Sequence, residues 1–441
     1  MNQSSFAAIL LALCLPLVSD AGTEPAAVDT IRPEDPLTFS LEARLRGEWR
    51  ENNFDFNNSS DALTDDVLLL SRVRLGAKWT PSSWLRIVVE GQDAREFFSA
   101  RPNIPGQLGA EGDDAIDLRQ AHVEIGDAAH LSASIGRQEM NYGDGRLISR
   151  TPWKNISQTF DAVKIHYAAE KWWLDAFTSS VVRPRKGEFN QSDWLDDGDA
   201  RNEFFSGLYL STTALDVQVT DFYAFEMHEE DKGGSDFVTL GTRVKGDAAK
   251  LAGWDYENEM AVQFGDRYGK DLSAFAGHWG GGHNWLHSPW KPRLGIEYSY
   301  ATGDSNAADG RVGTFQNLFP TNHPFYGYMD VFAWQNLHNP ALKFSVDPLS
   351  NLRLSLDYHL FWLADTNDGW YRANQTTLVR PITPSAGSFA GSEVDFTALW
   401  KATKQIDVQA GWSHFFAGSY LADTGASSDA DFAYLMLTFK L

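Results

Sequence analysis

The stretch Asp431-Phe-Ala-Tyr-Leu-Met-Leu-Thr-Phe-Lys-Leu441 alternates between two kinds of side chain. Successive side chains of a β-strand point to opposite faces, so this strand has one apolar and one mixed face. The apolar face carries Ala433, Leu435, Leu437, Phe439 and Leu441, and the mixed face carries Tyr434, Met436, Thr438 and Lys440. A final strand of this kind is typical of a bacterial outer-membrane barrel, where it pairs with the first strand and leaves no edge.

The same alternation recurs in strand-length segments from Leu37 onward. In the first segment Phe39, Leu41, Ala43, Leu45 and Trp49 share one face, opposite Glu42, Arg44, Arg46, Glu48 and Arg50. There are about eighteen such segments, and those at 172–181, 254–264 and 272–280 are the least clear. We therefore predict that residues 37–441 form an all-β, transmembrane antiparallel β-barrel of about 18 strands.

The connections between these segments alternate in length, which supports a barrel with short periplasmic turns and long extracellular loops. Short connections are expected at 80–83, 126–130, 168–171, 211–215, 347–351 and 402–405. Long ones are expected at 51–66, 94–116, 137–159, 180–202, 302–335, 364–392 and 418–430. The alternation is blurred near 265–291, where we expect Gly280–Gly282 and Pro289 to occupy a turn.

The N-terminal residues have the pattern of an export signal. Phe6–Val18 is apolar and is followed by the small residues Ser19 and Ala21, although no Lys or Arg precedes it. We expect residues 1–21 to be a signal peptide and 22–36 a short periplasmic lead-in. The single cysteine, Cys14, lies in the signal, so no disulfide is expected in the mature chain.

Positive charge is concentrated on the polar faces of the early strands, although the chain has a net charge of -22. In a barrel these faces point into the lumen, where arginine and glutamate often form lattices that fill the space. A second interpretation, compatible with the first, is a positive interior that conducts anions. The strand residues that we expect to line this path are Arg44, Arg46, Arg72, Arg74 and Arg86.

Other classes of site have weaker support. His278, His283 and His287 are clustered, but a Gly- and Trp-rich connection would not hold them for zinc. Asp357 and Glu393 could act as a glycosidase pair, yet carboxylates are expected in any lumen. There is no phosphate-binding glycine loop and no nucleophile motif. We therefore expect no enzyme activity, no catalytic residue, no cofactor or metal, and no nucleic-acid partner.

Three longer motifs resemble those of the alginate export family of outer-membrane proteins, and the resemblance covers nearly all of the mature chain. The first is Gly136-Arg-Gln-Glu-Met-Asn-Tyr-Gly-Asp-Gly-Arg-Leu-Ile148, followed by Trp153, Asn155, Phe160 and Asp161. The second is Tyr298-Ser-Tyr-Ala-Thr-Gly-Asp304 with Phe315-Gln-Asn-Leu-Phe-Pro-Thr-Asn-His-Pro-Phe-Tyr-Gly327 and Asp330. The third is Gly411-Trp-Ser-His-Phe-Phe-Ala-Gly-Ser-Tyr420.

The resemblance implies an eighteen-stranded export pore for an anionic exopolysaccharide such as alginate, with possible periplasmic export partners. It adds Arg137 and Arg146 to the lumen residues. We expect segment 137–159, which also contains Arg150, to fold into the lumen and line its narrowest part. Two alternatives stay open: a porin that takes up small organic anions or oligosaccharides, and an adhesive surface barrel with a plugged lumen.

Overall fold

The computed structural model describes residues 36–59, 65–99, 113–185, 188–195, 202–230, 233–377 and 380–441. The predicted signal peptide (1–21) and all but the last residue of the predicted lead-in (22–36) lie outside these ranges. No helix of the described residues is long and apolar enough to cross a membrane.

Antiparallel strands supply nearly all of the regular secondary structure in the described chain. In order they are β1 (Leu37–Glu51), β2 (Asp66–Ser82), β3 (Leu85–Phe97), β4 (Asp114–Asp127), β5 (Leu131–Gln138), β6 (Phe160–Ala168), β7 (Trp172–Val181), β8 (Phe204–Thr212), β9 (Gln218–Glu229), β10 (Ser235–Gly246), β11 (Trp254–Arg267), β12 (Lys270–Asn284), β13 (Arg293–Ala301), β14 (Arg311–Val312), β15 (Leu337–Leu349), β16 (Leu352–Leu363), β17 (Phe389–Lys401), β18 (Ile406–Ala417) and β19 (Ala430–Lys440). The short helix α1 (Ser419–Thr424) precedes β19.

Eighteen of these strands form one closed wall, in which each strand pairs with its neighbours in the chain and β1 pairs with β19. The two-residue β14 instead pairs in parallel with β12 at one rim. The barrel of about eighteen strands is thus confirmed. The three least clear segments are also strands, namely β7, β11 and β12.

The closing strand has the predicted orientation. Leu437 is 45% exposed on the outside, whereas Tyr434 and Thr438 are buried inside. On β1 the pattern is the same, with Phe39 75% exposed and Arg46 fully buried. Because the outer surface is apolar and the lumen is polar, the wall is suited to a lipid bilayer.

The long connections all lie at one end of the barrel, as predicted. The long ones comprise 52–65, 98–113, 139–159, 182–203, 302–336, 364–388 and 418–429. The connections 230–234 and 268–269, on the same end, are short. At the other end Leu41 and Leu441 exchange backbone hydrogen bonds of 3.1 and 2.9 Å. The first and last strands therefore meet at the short-connection end.

The prediction of a turn at Gly280–Gly282 is wrong. Gly280, Gly281 and Gly282 lie inside β12, where they pair with β11 on one side and β13 on the other. The ladder satisfies their backbone groups, and the Arg293 guanidinium lies where a Cβ of Gly282 would be. The turn is formed instead by residues 285–292, which include Pro289.

The apolar core of this barrel lies inside the lumen, where long connections pack against the wall. Phe332 stacks on Phe361 of β16, with 4.3 Å between ring centres, and on Trp370 at 4.7 Å. All three side chains are almost fully buried. Connections 302–336 and 364–388 thus fill part of the lumen, and the remaining space defines the solute path.

Candidate solute path

Connection 139–159, hereafter loop 139–159, lies inside the barrel against the arginines of β1 and β2. Arg44 donates to the carbonyl oxygen of Pro152 at 2.9 Å, to that of Lys154 at 3.2 Å and to Asn155 Oδ1 at 3.1 Å. Arg72 donates to the Lys154 carbonyl at 2.9 Å. The carbonyl oxygens of this loop therefore supply acceptors for buried guanidinium groups, and Arg72 is also paired with Glu42 at 2.6 Å.

Two more of the predicted arginines contact the same loop. Arg46 donates to the Trp153 carbonyl, and its guanidinium lies 3.8 Å from the centre of the Trp153 indole ring. Arg74 donates to the Ser157 hydroxyl and, at 2.8 Å, to Gln92. These side chains face inward as predicted, but their visible contacts hold the loop. Their role in selecting anions stays a prediction.

The other predicted residues are spread over the lumen. Arg86 is paired with Glu124 at 3.3 Å on the wall, and Arg137 is paired with Asp161 at 2.9 Å. Arg146 is buried, with its guanidinium 3.9 Å from the centre of the Phe325 ring. Of the three arginines expected to line the constriction, Arg150 has the most exposed side chain, at 56%.

Loop 139–159 has a second anchor on the opposite wall. Asp144 accepts hydrogen bonds of 2.6 Å from both Arg243 and Lys245 of β10. Burial by itself would raise the pKa of Asp144, but a hydrogen bond with Glu257 and the charges of Arg243 and Lys245 hold that pKa below its usual range. The loop thus spans the lumen between two walls of the barrel.

A second inserted segment, loop 302–336, is held by two carboxylates of β17. Glu393 accepts the backbone N–H of Met329 at 2.9 Å, and Asp395 accepts that of Tyr328 at 3.4 Å. Gly327 has a φ of 85°, and a Cβ there would lie 2.5 Å from the Glu393 carboxylate. Only glycine allows this approach at little cost.

The two loops meet near the middle of the lumen. The rings of Trp153 and His323 are stacked with their centres 3.7 Å apart, and His323 bonds to Asp330 at 2.9 Å. On the long-connection side lies a cavity of about 270 Å³, here called the outer cavity, and on the other side a cavity of about 680 Å³, the inner cavity. Both cavities are lined by Trp153, Thr321 and His323, which makes these residues the candidate constriction.

The outer cavity is lined by four basic side chains, Arg50, Lys154, Arg183 and Arg372, and by one carboxylate, Asp330. The inner cavity is lined by Glu139, Asp144 and Arg150. Sequence reasoning missed Lys154, Arg183 and Arg372. Trp153 and His323 belong to the quoted motifs, so those motifs contained a usable signal for the constriction, whereas nothing in the local sequence marks Arg372.

The residues considered for a metal site do not converge. His278 is buried and hydrogen-bonded to Ser299 at 3.0 Å, whereas His283 packs between Trp254 and Trp285. No group of three or more potential metal ligands occurs in the part of the chain that the structure describes. Asp357 pairs with Lys343 at 2.9 Å, while Glu393 binds the backbone of loop 302–336.

Solved outer-membrane proteins share this architecture. OccAB1 of Acinetobacter baumannii superposes with a TM-score of 0.62 at 13% identity, covering 92% of this chain and 97% of that one. OccK5 (OpdH) of Pseudomonas aeruginosa superposes with a TM-score of 0.61 at 10% identity, covering 92% of this chain and 98% of that one. OpdK of Pseudomonas aeruginosa, in a structure determined with vanillate, superposes with a TM-score of 0.60 at 12% identity, covering 91% of this chain and 98% of that one. At these identities the likeness concerns the fold.

Barrel and lumen together define a channel of the bacterial outer membrane. The search of curated proteins finds no match. The model of the alginate export family matches residues 35–434, nearly the whole chain, and this protein belongs to that family.

Proposed function

We propose that this channel admits small organic anions from outside the cell. The observation that carries the proposal is an excess of positive charge in the outer cavity. Arg50 is paired with Glu48 at 2.8 Å, and Arg183 with Glu203 at 2.7 Å. No carboxylate of the described residues lies within 4.0 Å of the Lys154 ammonium or the Arg372 guanidinium.

The inner cavity lacks such an excess. Glu139 forms an ion pair with Arg119 and a longer one, of 3.8 Å, with Arg150, while Asp144 is bound by Arg243 and Lys245. Free positive charge therefore lies on the side that long loops place outside the cell. This arrangement attracts anions from the medium and offers less attraction to anions arriving from the periplasm.

The size of the path also favours small solutes. Trp153 and His323 are stacked between the two cavities, and both belong to loops with many wall contacts. A polymer would need a continuous opening, and hence movement of loop 139–159, whereas a small anion needs local side-chain motion.

A second candidate is export of an anionic exopolysaccharide such as alginate, with periplasmic export partners. Family membership across residues 35–434 is the observation that favours it. A polyuronate carries one carboxylate per sugar, and guanidinium groups bind carboxylates bidentately. In this case loop 139–159 would be a gate that opens for the polymer.

Ion selectivity tests the first proposal. In planar bilayers under a salt gradient, the wild type should have an anion-selective reversal potential. One unit charge about 8 Å from the path contributes about 1 kcal/mol at an effective dielectric constant of about 40, which is about fivefold in relative permeability. Lys154→Gln and Arg372→Gln should each lower the preference by about this factor. The control Arg353→Gln, which removes an exposed arginine paired with Asp347, should not.

Solute assays separate the two candidates. Liposomes containing the protein should swell in small carboxylates, and deletion of the gene should slow growth on a carboxylate. Loss of a secreted acidic polymer in the deletion strain, with unchanged growth on carboxylates, would reject uptake in favour of export. A cation-selective wild type would contradict an anion path of either kind.

A further inference from the structure

The outer cavity contains an unusual pair of guanidinium groups around one aromatic ring. The Arg372 guanidinium lies 4.8 Å from the centre of the Phe54 ring, and that of Arg50 lies 5.6 Å from it. Both side chains are at least 95% buried, and each has a nitrogen without a hydrogen-bond partner: Nη1 of Arg50 and Nε of Arg372. Two buried guanidinium groups thus lie around one ring, and in the described part of the chain only that of Arg50 is paired with a carboxylate, Glu48, at 2.8 Å.

Arg372 is the less compensated of the two. Its Nη2 donates to the Thr376 hydroxyl at 2.5 Å, and no carboxylate of the described residues pairs with it. Burial and, as the smaller cause, the positive charge of Arg50 together lower the pKa of Arg372 to about 10. A buried cation that no carboxylate of the described residues contacts is costly, so an anionic ligand beside Arg372 would be stabilised.

The walls around these cations are largely apolar. They include Phe54, Ile156, Val181, Val182, Pro184 and Pro320. Several polar groups at the rim already have partners. The Asn322 amide donates to the Ala373 carbonyl at 2.8 Å and contacts Asn317 at 2.8 Å, and the Thr151 hydroxyl accepts the Gln158 N–H at 3.1 Å. The apolar part of the wall is suited to an unhydroxylated ring.

The volume of the cavity suits a small ligand. An apolar protein cavity of about 150 Å³ can hold a benzene molecule. The outer cavity, at about 270 Å³, has room for one ring with a carboxylate.

We propose that the outer cavity is a binding site for monocarboxylates with an apolar ring. The carboxylate would lie between Arg372 and Lys154, and the ring against Phe54 and Ile156. The inference rests on the proposed uptake of small anions and names its substrate class. Charge selects the carboxylate, and the apolar wall selects an unhydroxylated ring over a sugar acid.

Calorimetric titration of the purified, detergent-solubilised protein tests this assignment with three probes: benzoate, glucuronate and benzyl alcohol. Benzoate should bind most tightly. Glucuronate lacks the apolar ring and benzyl alcohol lacks the charge, so each should bind at least about tenfold more weakly. Arg372→Gln and Lys154→Gln should each weaken benzoate at least about tenfold, whereas Arg353→Gln should bind as the wild type does.

Lys154 is exposed, so Lys154→Gln should fold and still tests the site if Arg372→Gln does not fold. Equal or tighter binding of glucuronate would overturn the apolar substrate class, and equal binding of benzyl alcohol would overturn the carboxylate site. Absence of benzoate binding in a channel that is still anion-selective in bilayers would reject this site while leaving the proposed function standing. A channel without anion selectivity that still binds benzoate would reject the proposed function while leaving the binding site standing.

Discussion

Replacing Arg44 and Arg72 together by glutamine should release loop 139–159 from the wall. Arg44 makes three hydrogen bonds to the loop, and Arg72 makes one of 2.9 Å and one of 3.4 Å to its carbonyl oxygens. A hydrogen bond to a charged group contributes about 1.5 kcal/mol at the lower end of its range. Because hydrogen bonds within one cluster are not additive, we take about 3 kcal/mol as the docking free energy that the double variant loses. This loss lowers the ratio of docked to undocked loop about 150-fold.

Single-channel recording in planar bilayers should detect this change as larger and noisier conductance. Complete deletion of the loop should raise conductance further and lower anion preference, since both the obstruction and Lys154 and Arg150 are removed. Arg86→Gln is the control, because Arg86 pairs with Glu124 on the wall. All variants are first checked for the heat-dependent shift on SDS gels. Unchanged conductance in a folded double variant would refute the argument that these arginines hold the loop in the path.

Three further predictions concern the loop anchors. Glu393→Gln keeps an acceptor for loop 302–336 and removes repulsion with Asp395, so its melting temperature should equal or exceed that of the wild type. Glu393→Ala removes the acceptor, and its free energy of unfolding in denaturant titrations should fall by about 1–3 kcal/mol. Gly327→Ala should increase proteolysis of loop 302–336, because its Cβ would overlap the Glu393 carboxylate; normal protection would contradict that contact. Because the pKa of Asp144 is lowered, its anchor is lost only as pH falls through that lowered value. Current noise should therefore stay constant from pH 7 to about 5 in the wild type and rise in Asp144→Asn at every pH.

The wall of the barrel could be predicted from the sequence because its rules are local. Side chains of a strand alternate with a period of two. Because the outer face contacts lipid and the inner face is polar, this alternation can be read in the sequence. The inward direction of Arg44, Arg46 and Arg72 followed from that alone. Gly280–Gly282 were misplaced because glycine weakens the alternation while its backbone can still join a ladder.

The contents of the lumen could be predicted only in outline. The motif in loop 139–159 and the arginines opposite it indicated that this loop enters the barrel, but its partners Arg72 and Arg44 are 82 and 110 residues away from Lys154 in the chain. No periodic pattern connects Lys154 with Arg372, or Trp153 with His323, because loops have no fixed repeat.

The sequence by itself therefore determined the fold class, the closure of the wall and the inward placement of its basic residues, since each depends on alternation between neighbouring positions. Only the tertiary structure decided which cations of the described residues have no carboxylate partner, where the two cavities are divided and which residues form the candidate constriction. Those properties depend on distances between side chains of different loops, and these distances are set by how the loops pack inside the closed wall.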